Sequence, residues 1–305
     1  MFDTISIRFE SSIHAEMKEK DYAYWVKLSS SLTLVLASTM VAAKFWAWLS
    51  TGSTTMLGSL TDSLLDITAS AINFWVLRIA LVPADDDHRF GHGKAESLVG
   101  LGQAAFIAGS ACLLAFYGIE RLLNPVTSEA VMTGVAVSIY AVFCTLLIIA
   151  VQQWALRQTK SVAIKADSVH YKGDLLLNLS VIVALVLANM GWVYSDGIFT
   201  LLISGYLFYN AFDVARESTD YLMDKELDDE VKNDIETAIL AHNEVLGFHD
   251  LRTRQSGPTK FIQLHLELDS KLTLAHAHRI SEEVETSLHR IIEGEVDVLI
   301  HKDPF

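Results

Sequence analysis

Long apolar runs separated by short polar joints occupy most of this 305-residue chain. A helix needs about 20 predominantly apolar residues to cross the hydrocarbon core of a bilayer. Six runs meet that requirement, and we predict a transmembrane helix in each: residues 26–49, 55–82, 98–121, 130–156, 162–190 and 194–215. The polar residues 1–25 are predicted to form an N-terminal tail, and the six-helix membrane domain is predicted to comprise residues 26–216.

The pattern changes after residue 216 to that of a small, charged α+β domain, to which we assign residues 217–305. Residues 228–241 and 274–292 repeat apolar positions at helical spacing. Residues 248–255 and 261–268 alternate apolar and polar around the turn signal of Gly257 and Pro258, and residues 296–300 form a last strand. The order helix, strand, strand, helix, strand resembles a ferredoxin-like domain of the metallochaperone type.

The basic residues of the short joints predict the orientation, because Lys and Arg accumulate on the cytoplasmic side of a membrane. The joints after the first and fifth spans carry none, whereas the tail, the second joint and the fourth joint are basic. These residues are Arg8, Lys18, Lys20, Lys27, Arg78, Arg89, Lys94, Arg157, Lys160 and Lys165. Both termini are therefore predicted to face the cytoplasm.

Charge and cysteine usage narrow the function. A net charge of −14 disfavours a nucleic acid as partner, because phosphate binding requires a basic surface. Cys112 and Cys144 lie in separate apolar spans, so neither a disulfide framework nor a thiolate metal motif is expected. The sequence contains no nucleophile–base pair or cofactor motif, which disfavours an enzyme.

Two pairs of polar residues stand where lipid should exclude them. Asp62 and Asp66 in the second span are four residues apart and share one helical face, and His170 and Asp174 repeat this spacing in the fifth span. Ionised groups inside a membrane cost several kcal/mol unless they are paired or bind a cation. Four oxygen and nitrogen ligands without sulfur suit a divalent metal ion, with Zn²⁺ as the first choice.

A structural role, in which each pair forms hydrogen bonds or salt bridges within the bundle, is the alternative. The nearest basic residues are Lys44 and Lys172. Lys44 is expected to extend toward the outer interface, where its ammonium reaches water, and Lys172 is expected to lie on another face from His170. Neither would neutralise three acids, which favours the metal site.

The two pairs, the loop PADDDHRFGHGKAE (83–96) and the tract HDLRTRQSGPTKFIQLHLEL (249–268) resemble the cation diffusion facilitator family, and within it the bacterial zinc/proton antiporters. The resemblance extends from about Tyr22 to the end of the chain. It implies six transmembrane helices, a cytoplasmic ferredoxin-like domain and a homodimer in the bacterial inner (plasma) membrane that exchanges metal for protons. The four ligands resemble those of members that carry Zn²⁺ and Cd²⁺, and sometimes Fe²⁺.

The loop after the second span is a candidate for a further metal site. Asp85, His88 and His92 are spaced three and four residues apart, and composition alone fits either a metal site or a hydrophilic loop. The family resemblance favours the metal site. By the same resemblance, Lys94 and Asp224 form an interlock between helices at the dimer interface.

The C-terminal domain is rich in histidine, and the resemblance implies a cluster of two metal ions there. One ion would be bound by His249, His265 and Asp303, and the other by His265, His278 and His301. The alternative is that these are ordinary surface histidines, an interpretation that we adopt for His242, His276 and His289.

These features predict a secondary transporter with alternating access, for which Zn²⁺ is both the substrate and a regulatory ligand. Metal ligands must be deprotonated, and the ordinary histidine pKa of about 6.5 suits His170, together with Asp66, to couple metal to protons. A Na⁺/H⁺-type exchanger would have no need of His170. A metal-sensing membrane receptor would have no need of the four ligands in the membrane. Among the transported ions, Cd²⁺, Fe²⁺ and Mn²⁺ are the alternatives to Zn²⁺.

Overall fold

Six long helices form the first part of the protein in the computed structural model, which describes residues 2–51, 54–124, 132–190, 192 and 194–305. They are α1 (Phe2–Thr51), α2 (Thr54–Ala80), α3 (Lys94–Leu123), α4 (Met132–Thr159), α5 (Val162–Asn189) and α6 (Ser195–Leu222). Within the described residues, five helices contain a segment long and apolar enough to cross a membrane: Asp21–Ser50, Ser59–Ala80, Lys94–Leu123, Ile139–Thr159 and Ser195–Leu222. The protein therefore has a helical membrane domain, and the span predicted at residues 162–190 stays a prediction.

The helical domain is apolar outside and partly polar inside. Large side chains such as Trp75, Phe116 and Phe212 are about two thirds exposed at its surface, as expected for side chains that contact lipid. Polar residues are buried in its interior, among them Thr33, Asn73, Gln103, Gln152 and Asp167. Buried polar groups need partners, and several of those partners come from neighbouring helices.

The N-terminus of α5 shows how side chains fix one of these helices. Ser161 precedes the first helical residue, and its Oγ accepts a hydrogen bond from the Ile164 N–H at 3.2 Å, as an N-cap does. Glu96 Oε1 accepts from the Val162 N–H at 2.9 Å, which attaches the start of α5 to α3. The helix also approaches α6 closely, since a Cβ at Gly173 would lie 2.5 Å from Leu207. These contacts position the face of α5 that carries His170.

Two compact units make up the chain. One combines Trp25–Val82 with Ala95–Thr219, and the other combines Met1–Tyr24, Pro83–Lys94 and Asp220–Phe305. The loop between α2 and α3 thus belongs to the same unit as the C-terminal domain.

A small sheet with two helices forms the C-terminal domain. Its elements are α7 (Asp229–Leu240), β1 (Gly247–Ser256), β2 (Thr259–Leu268), α8 (Leu274–Ile291) and β3 (Glu295–Pro304). The strand order is β1-β2-β3, with β1 antiparallel and β3 parallel to β2. The core is formed by apolar residues of the sheet and both helices: Ile235, Ile239, Ile262, Leu264, Leu266, Ile280, Val284 and Leu288.

The last strand is longer than the predicted segment 296–300. It continues through His301 and Asp303, because these residues pair with His265 and Glu267 of β2. The alternation of apolar residues ends at Ile300, so that pattern alone gave no signal for the polar end of the strand.

Candidate metal sites

Asp66, His170 and Asp174 form a cluster, here called the helix cluster, in which one ligand atom of each residue lies within 4.8 Å of the others. His170 Nε2 lies 3.0 Å from Asp66 Oδ1 and 3.7 Å from Asp174 Oδ2. The side chains are partly buried, with exposed fractions between 13% and 29%. Protein therefore covers most of the cluster, but part of each side chain stays accessible to an ion.

Helices α2 and α5 bring the cluster together. The spacing of four residues places His170 and Asp174 on one face of α5, opposite Asp66 of α2. One turn farther along α2, the hydroxyl groups of Ser70 and Tyr171 lie 2.9 Å apart and form a hydrogen bond between the same two helices. This buried bond fixes the register of α2 against α5.

Asp62, the fourth predicted ligand, lies one turn from Asp66 and is exposed. It is not part of the three-residue cluster. Its charge interacts with those of Asp66 and Lys44. Its role as a ligand stays a prediction.

The predicted position of Lys44 is wrong. Its ammonium does not extend along α1 to the interface but donates to Ser63 Oγ at 2.6 Å and to the Ser59 carbonyl at 3.3 Å, both on α2. The signal that sequence reasoning missed is helical spacing, because Lys44 continues the buried positions Ala37, Met40 and Ala47 of α1. A lysine on that face points into the bundle.

Asp167, which sequence analysis did not single out, is a further buried acid. It lies one turn before His170 and is 3% exposed. Gln103 Nε2 of α3 donates to its Oδ1 at 3.3 Å, and Gln152 Nε2 of α4 donates to its Oδ2 at 2.7 Å. The spacing of residues 167, 170 and 174 on one helical face is the signal that could have identified it.

Asp85, His88 and His92 also converge, and we call them the loop cluster. Asp85 Oδ1 lies 3.5 Å from His88 Nδ1, and Asp85 Oδ2 lies 3.5 Å from His92 Nε2. The backbone N–H groups of His88 and Asp87 donate to Asp85 Oδ1 at 2.6 and 3.0 Å. These hydrogen bonds, that from His88 above all, hold the pKa of Asp85 below its usual range, which keeps a carboxylate available for a cation.

Within the same unit, this loop is fastened to the C-terminal domain through Asp224. Lys94 Nζ lies 2.9 Å from Asp224 Oδ1, and Arg254 Nη1 lies 3.3 Å from the same oxygen. The Arg254 guanidinium also stacks between the rings of Phe90 and Phe261, at 5.0 and 4.3 Å from their centroids. Partial burial raises the pKa of Asp224, but the hydrogen bonds from Lys94 and Arg254 outweigh it and lower that pKa.

His249, His265, His301 and Asp303 form a third group, the sheet cluster. The strand register pairs His249 with His265 and His265 with His301. Asp303 Oδ2 lies 2.9 Å from His265 Nδ1 and 3.2 Å from His249 Nε2, and its Oδ1 lies 3.0 Å from His301 Nε2. The hydrogen bond from His265 is the main reason that the pKa of Asp303 is lowered. The ligand atoms of His249, His265 and Asp303 lie within 4.8 Å of one another, and two imidazoles with a carboxylate fit Zn²⁺.

The other histidines of this domain have acidic neighbours of their own. His278, a predicted ligand, lies 3.6 Å from Glu282 of the same helix and is not part of the sheet cluster, so its role stays a prediction. Three histidines that we assigned to the surface also pair with glutamates: His242 with Glu283, His276 with Glu244 and His289 with Glu285.

Glu267 is the neighbour of the sheet cluster that sequence reasoning missed. Its Oε1 lies 2.9 Å from His249 Nδ1, on the opposite side of the ring from the Nε2 that faces Asp303. The carboxylate fits against Gly247, where a Cβ would lie 2.5 Å from Glu267 Oε2. Its position two residues after His265, on the same face of β2, was the available signal.

Comparisons with known proteins found matches over both the helical part and the C-terminal part of the chain. The family profile described as cation efflux transmembrane domain matches residues 30–223, and that described as cation efflux protein, cytoplasmic domain matches residues 227–305. The cation-efflux pump FieF of Shewanella oneidensis is 49% identical over 93% of this chain and 95% of its own length. The FieF pump of Serratia proteamaculans is 44% identical over 94% of this chain and 95% of its own. A solved structure titled "Mode of Action of a Putative Zinc Transporter CzrB (Zn form)" is 30% identical over 27% of this chain and 92% of its own, with a TM-score of 0.25.

Proposed function

The chain belongs to the cation efflux family, also called the cation diffusion facilitators, and on this premise we propose that it exports Zn²⁺ from the cytoplasm in exchange for protons. It is a membrane transporter for cations and not an enzyme. Cd²⁺ and Fe²⁺ are the alternative substrates, because they also accept mixed nitrogen and oxygen ligands.

The observation that carries the proposal is the helix cluster. His170 Nε2 stands between Asp66 and Asp174, on two helices, at 3.0 and 3.7 Å from their carboxylate oxygens. An imidazole with two carboxylates provides three of the four ligands of a tetrahedral zinc site. Asp62, one turn from Asp66, would supply the fourth ligand after a small movement of α2 or a change of its rotamer.

Coupling to protons follows from the same contacts. The hydrogen bond between His170 and Asp66 holds one hydrogen at the place that a metal ion would take. All ligands must lose their protons to bind the ion. Metal that arrives from the cytoplasm therefore displaces protons, and protons that arrive from the outer side displace the metal.

The proposal extends to the architecture and the location. All six long helices, including α5, would cross the inner membrane of a bacterium, with both termini in the cytoplasm. The N-terminal tail would comprise residues 1–25, the membrane domain residues 26–216 and the ferredoxin-like cytoplasmic domain residues 217–305. The protein would act as a homodimer, with the Lys94–Asp224 pair near the dimer interface.

The loop and sheet clusters are proposed as regulatory sites for Zn²⁺. His249, His265 and Asp303 would hold one ion. His265, His278 and His301 would hold the second. Asp85, His88 and His92 would hold another in the loop. A bound ion would cross-link the three strands and thereby report the cytoplasmic zinc concentration to the transporter.

Zinc flux in proteoliposomes tests the transport function. Vesicles with an imposed pH gradient and the wild-type chain should accumulate Zn²⁺, and Asp66→Ala should abolish this uptake. Glu120→Gln, at an exposed acid of α3, is the matched control and should transport like the wild type. Native uptake by Asp66→Ala would refute the site, and uptake of Na⁺ without Zn²⁺ would favour a Na⁺/H⁺ exchanger. Binding of Zn²⁺ without flux would favour a receptor.

A further inference from the structure

Lys44 is a partly buried cation of the membrane domain that the proposed transport mechanism does not use. It lies on the inner face of α1, in line with Met40 and Ala47, which are 7% and 0% exposed. An ammonium group in such surroundings is costly unless acceptors and counter-charges surround it. The surroundings of Lys44 supply both.

The acceptors come from α2. Lys44 Nζ donates to Ser63 Oγ at 2.6 Å and to the Ser59 carbonyl at 3.3 Å. Ser63 directly follows Asp62 in the sequence and precedes Asp66 by less than one turn. The two hydrogen bonds thus hold the ammonium beside the part of α2 that carries the acids.

The counter-charges come from both helices of the helix cluster. The ammonium interacts electrostatically with the carboxylates of Asp66, Asp174 and Asp62. Within the described part of the chain it forms no salt bridge of 4.0 Å or less with them, so their oxygens stay available to a metal ion. Lys44 therefore contributes a charge to the site but occupies none of its ligands.

We propose that Lys44 is a tethered counter-cation of the transport site. Its charge partly neutralises the carboxylates in the metal-free protein and lowers their affinity for Zn²⁺. The inference rests on the proposed transport function. In the metal-free state one positive charge offsets part of the repulsion among three acids. When Zn²⁺ binds, the same charge repels the ion, and this repulsion favours release over retention.

A mechanical role, in which Lys44 only attaches α1 to α2, makes different predictions. Lys44→Arg keeps the charge and can donate to the same acceptors, whereas Lys44→Gln keeps a donor but removes the charge. Lys172→Gln removes a comparable partly buried ammonium from α5. Charge is therefore separable from both hydrogen bonding and the general effect of losing a lysine.

The experiment measures Zn²⁺ affinity by competition with a fluorescent chelator in the full chain, reconstituted in nanodiscs. A background of His88→Ala and His265→Ala removes one ligand from each of the other two clusters. We expect Lys44→Gln to bind Zn²⁺ at least tenfold more tightly, because the repulsion between a unit charge and a divalent ion within about 10 Å exceeds a factor of ten even at an effective dielectric near 20. Lys44→Arg and Lys172→Gln should match the background chain.

Zinc flux in proteoliposomes supplies the second readout. Lys44→Gln should reach half-maximal flux at lower Zn²⁺ and have a lower maximal rate, because release becomes slower. If Lys44→Gln does not give monodisperse protein, Lys44→Met tests the same loss of charge with a side chain that needs no acceptor.

Two results would overturn the inference: an affinity of Lys44→Gln equal to that of Lys172→Gln, or a shift in Lys44→Arg as large as that in Lys44→Gln. Failure of the transport function is distinguishable, because it would appear as a wild-type chain without zinc flux or as an Asp66→Ala variant with native flux. In either of those cases Lys44 would have no transport site to influence, and both the proposed function and the role of Lys44 would be wrong.

Discussion

His170 is the residue at which metal and proton compete in the proposed transporter. It is the sole nitrogen ligand of the helix cluster, and its Nε2 faces carboxylate oxygens on both sides. Nitrogen ligands favour Zn²⁺ over ions that prefer oxygen, such as Mn²⁺. We therefore predict that His170→Asp transports Mn²⁺ better relative to Zn²⁺ than the wild type does. Flux of each ion in the presence of the other measures this ratio, and an unchanged ratio would mean that His170 does not set selectivity.

At the sheet cluster, Glu267 contacts His249 through the ring nitrogen that faces away from Asp303. A carboxylate on the second ring nitrogen of a ligand histidine fixes the orientation and tautomer of the ring. Glu267→Gln should weaken Zn²⁺ binding to the full chain by roughly 10- to 100-fold, the usual effect of losing such a partner. Nitrogen NMR of the metal-free protein should also show a changed tautomer of His249. Glu293→Gln, at an exposed glutamate, is the control; equal affinities of the two variants would exclude this role of Glu267.

At the scale of elements, Asp167 joins helices α3, α4 and α5. Its two oxygens accept from Gln103 and Gln152, while the carbonyl oxygens of both glutamines are buried without a partner among the described residues. Asp167→Ala would leave the Gln103 amide unpaired and the Gln152 amide with only its 3.3 Å hydrogen bond to Thr33 Oγ1, at a cost of about 1–3 kcal/mol for a buried group. Asp167→Asn should cost less, because its amide can donate to one of the free glutamine carbonyls. The melting temperature in detergent should be highest for the wild type, lower for Asp167→Asn and lowest for Asp167→Ala. A lower melting temperature for Asp167→Asn than for Asp167→Ala would contradict this packing.

The attachment of the loop before α3 to the C-terminal domain depends on the ionisation of Asp224. Because the folded-state pKa of Asp224 is lowered, its contribution to stability is present above the unfolded value of about 3.9 and is lost as the pH falls through the folded value. Asp224→Asn should lower stability at pH 6 by about 1 kcal/mol or less, as for other exposed pairs, and its difference from the wild type should shrink as the pH falls below the unfolded value of about 3.9. Thermal unfolding between these pH values provides the measurement, with Asp297→Asn on β3 as control. A difference that grows on acidification would have the wrong sign.

Local spacing explains which parts of the fold and of the sites could be predicted. The pairs in α2 and α5 are visible in the sequence because residues four apart share a helical face, and β1 and β2 are visible because their apolar residues alternate. The position of Lys44 depends on how α1 is rotated against α2, and the partners of Asp167 come from two other helices. The last residues of β3 are strand only because β2 pairs with them. Such features arise from tertiary packing and leave only a weak trace in the local pattern.

At the scale of the whole molecule, the helical unit carries its polar groups inside and its apolar side chains outside, the reverse of a soluble protein. Partly buried charges in this unit lie near charges of the opposite sign, and Lys44 with the acids of α2 and α5 is an example. The second unit carries two further candidate metal sites, the loop and sheet clusters. The proposed transport site and the proposed regulatory sites thus lie in different units.

Simultaneous recording of zinc and proton movement tests whether the protein exchanges Zn²⁺ for protons. Proteoliposomes that contain a zinc-sensitive and a pH-sensitive dye, held at zero membrane potential, receive a step of external Zn²⁺. We expect Zn²⁺ to enter while protons leave with the same time course, and Asp66→Ala and Asp174→Ala to abolish both signals. Zinc entry without proton exit, or native rates of both in Asp66→Ala, would contradict it.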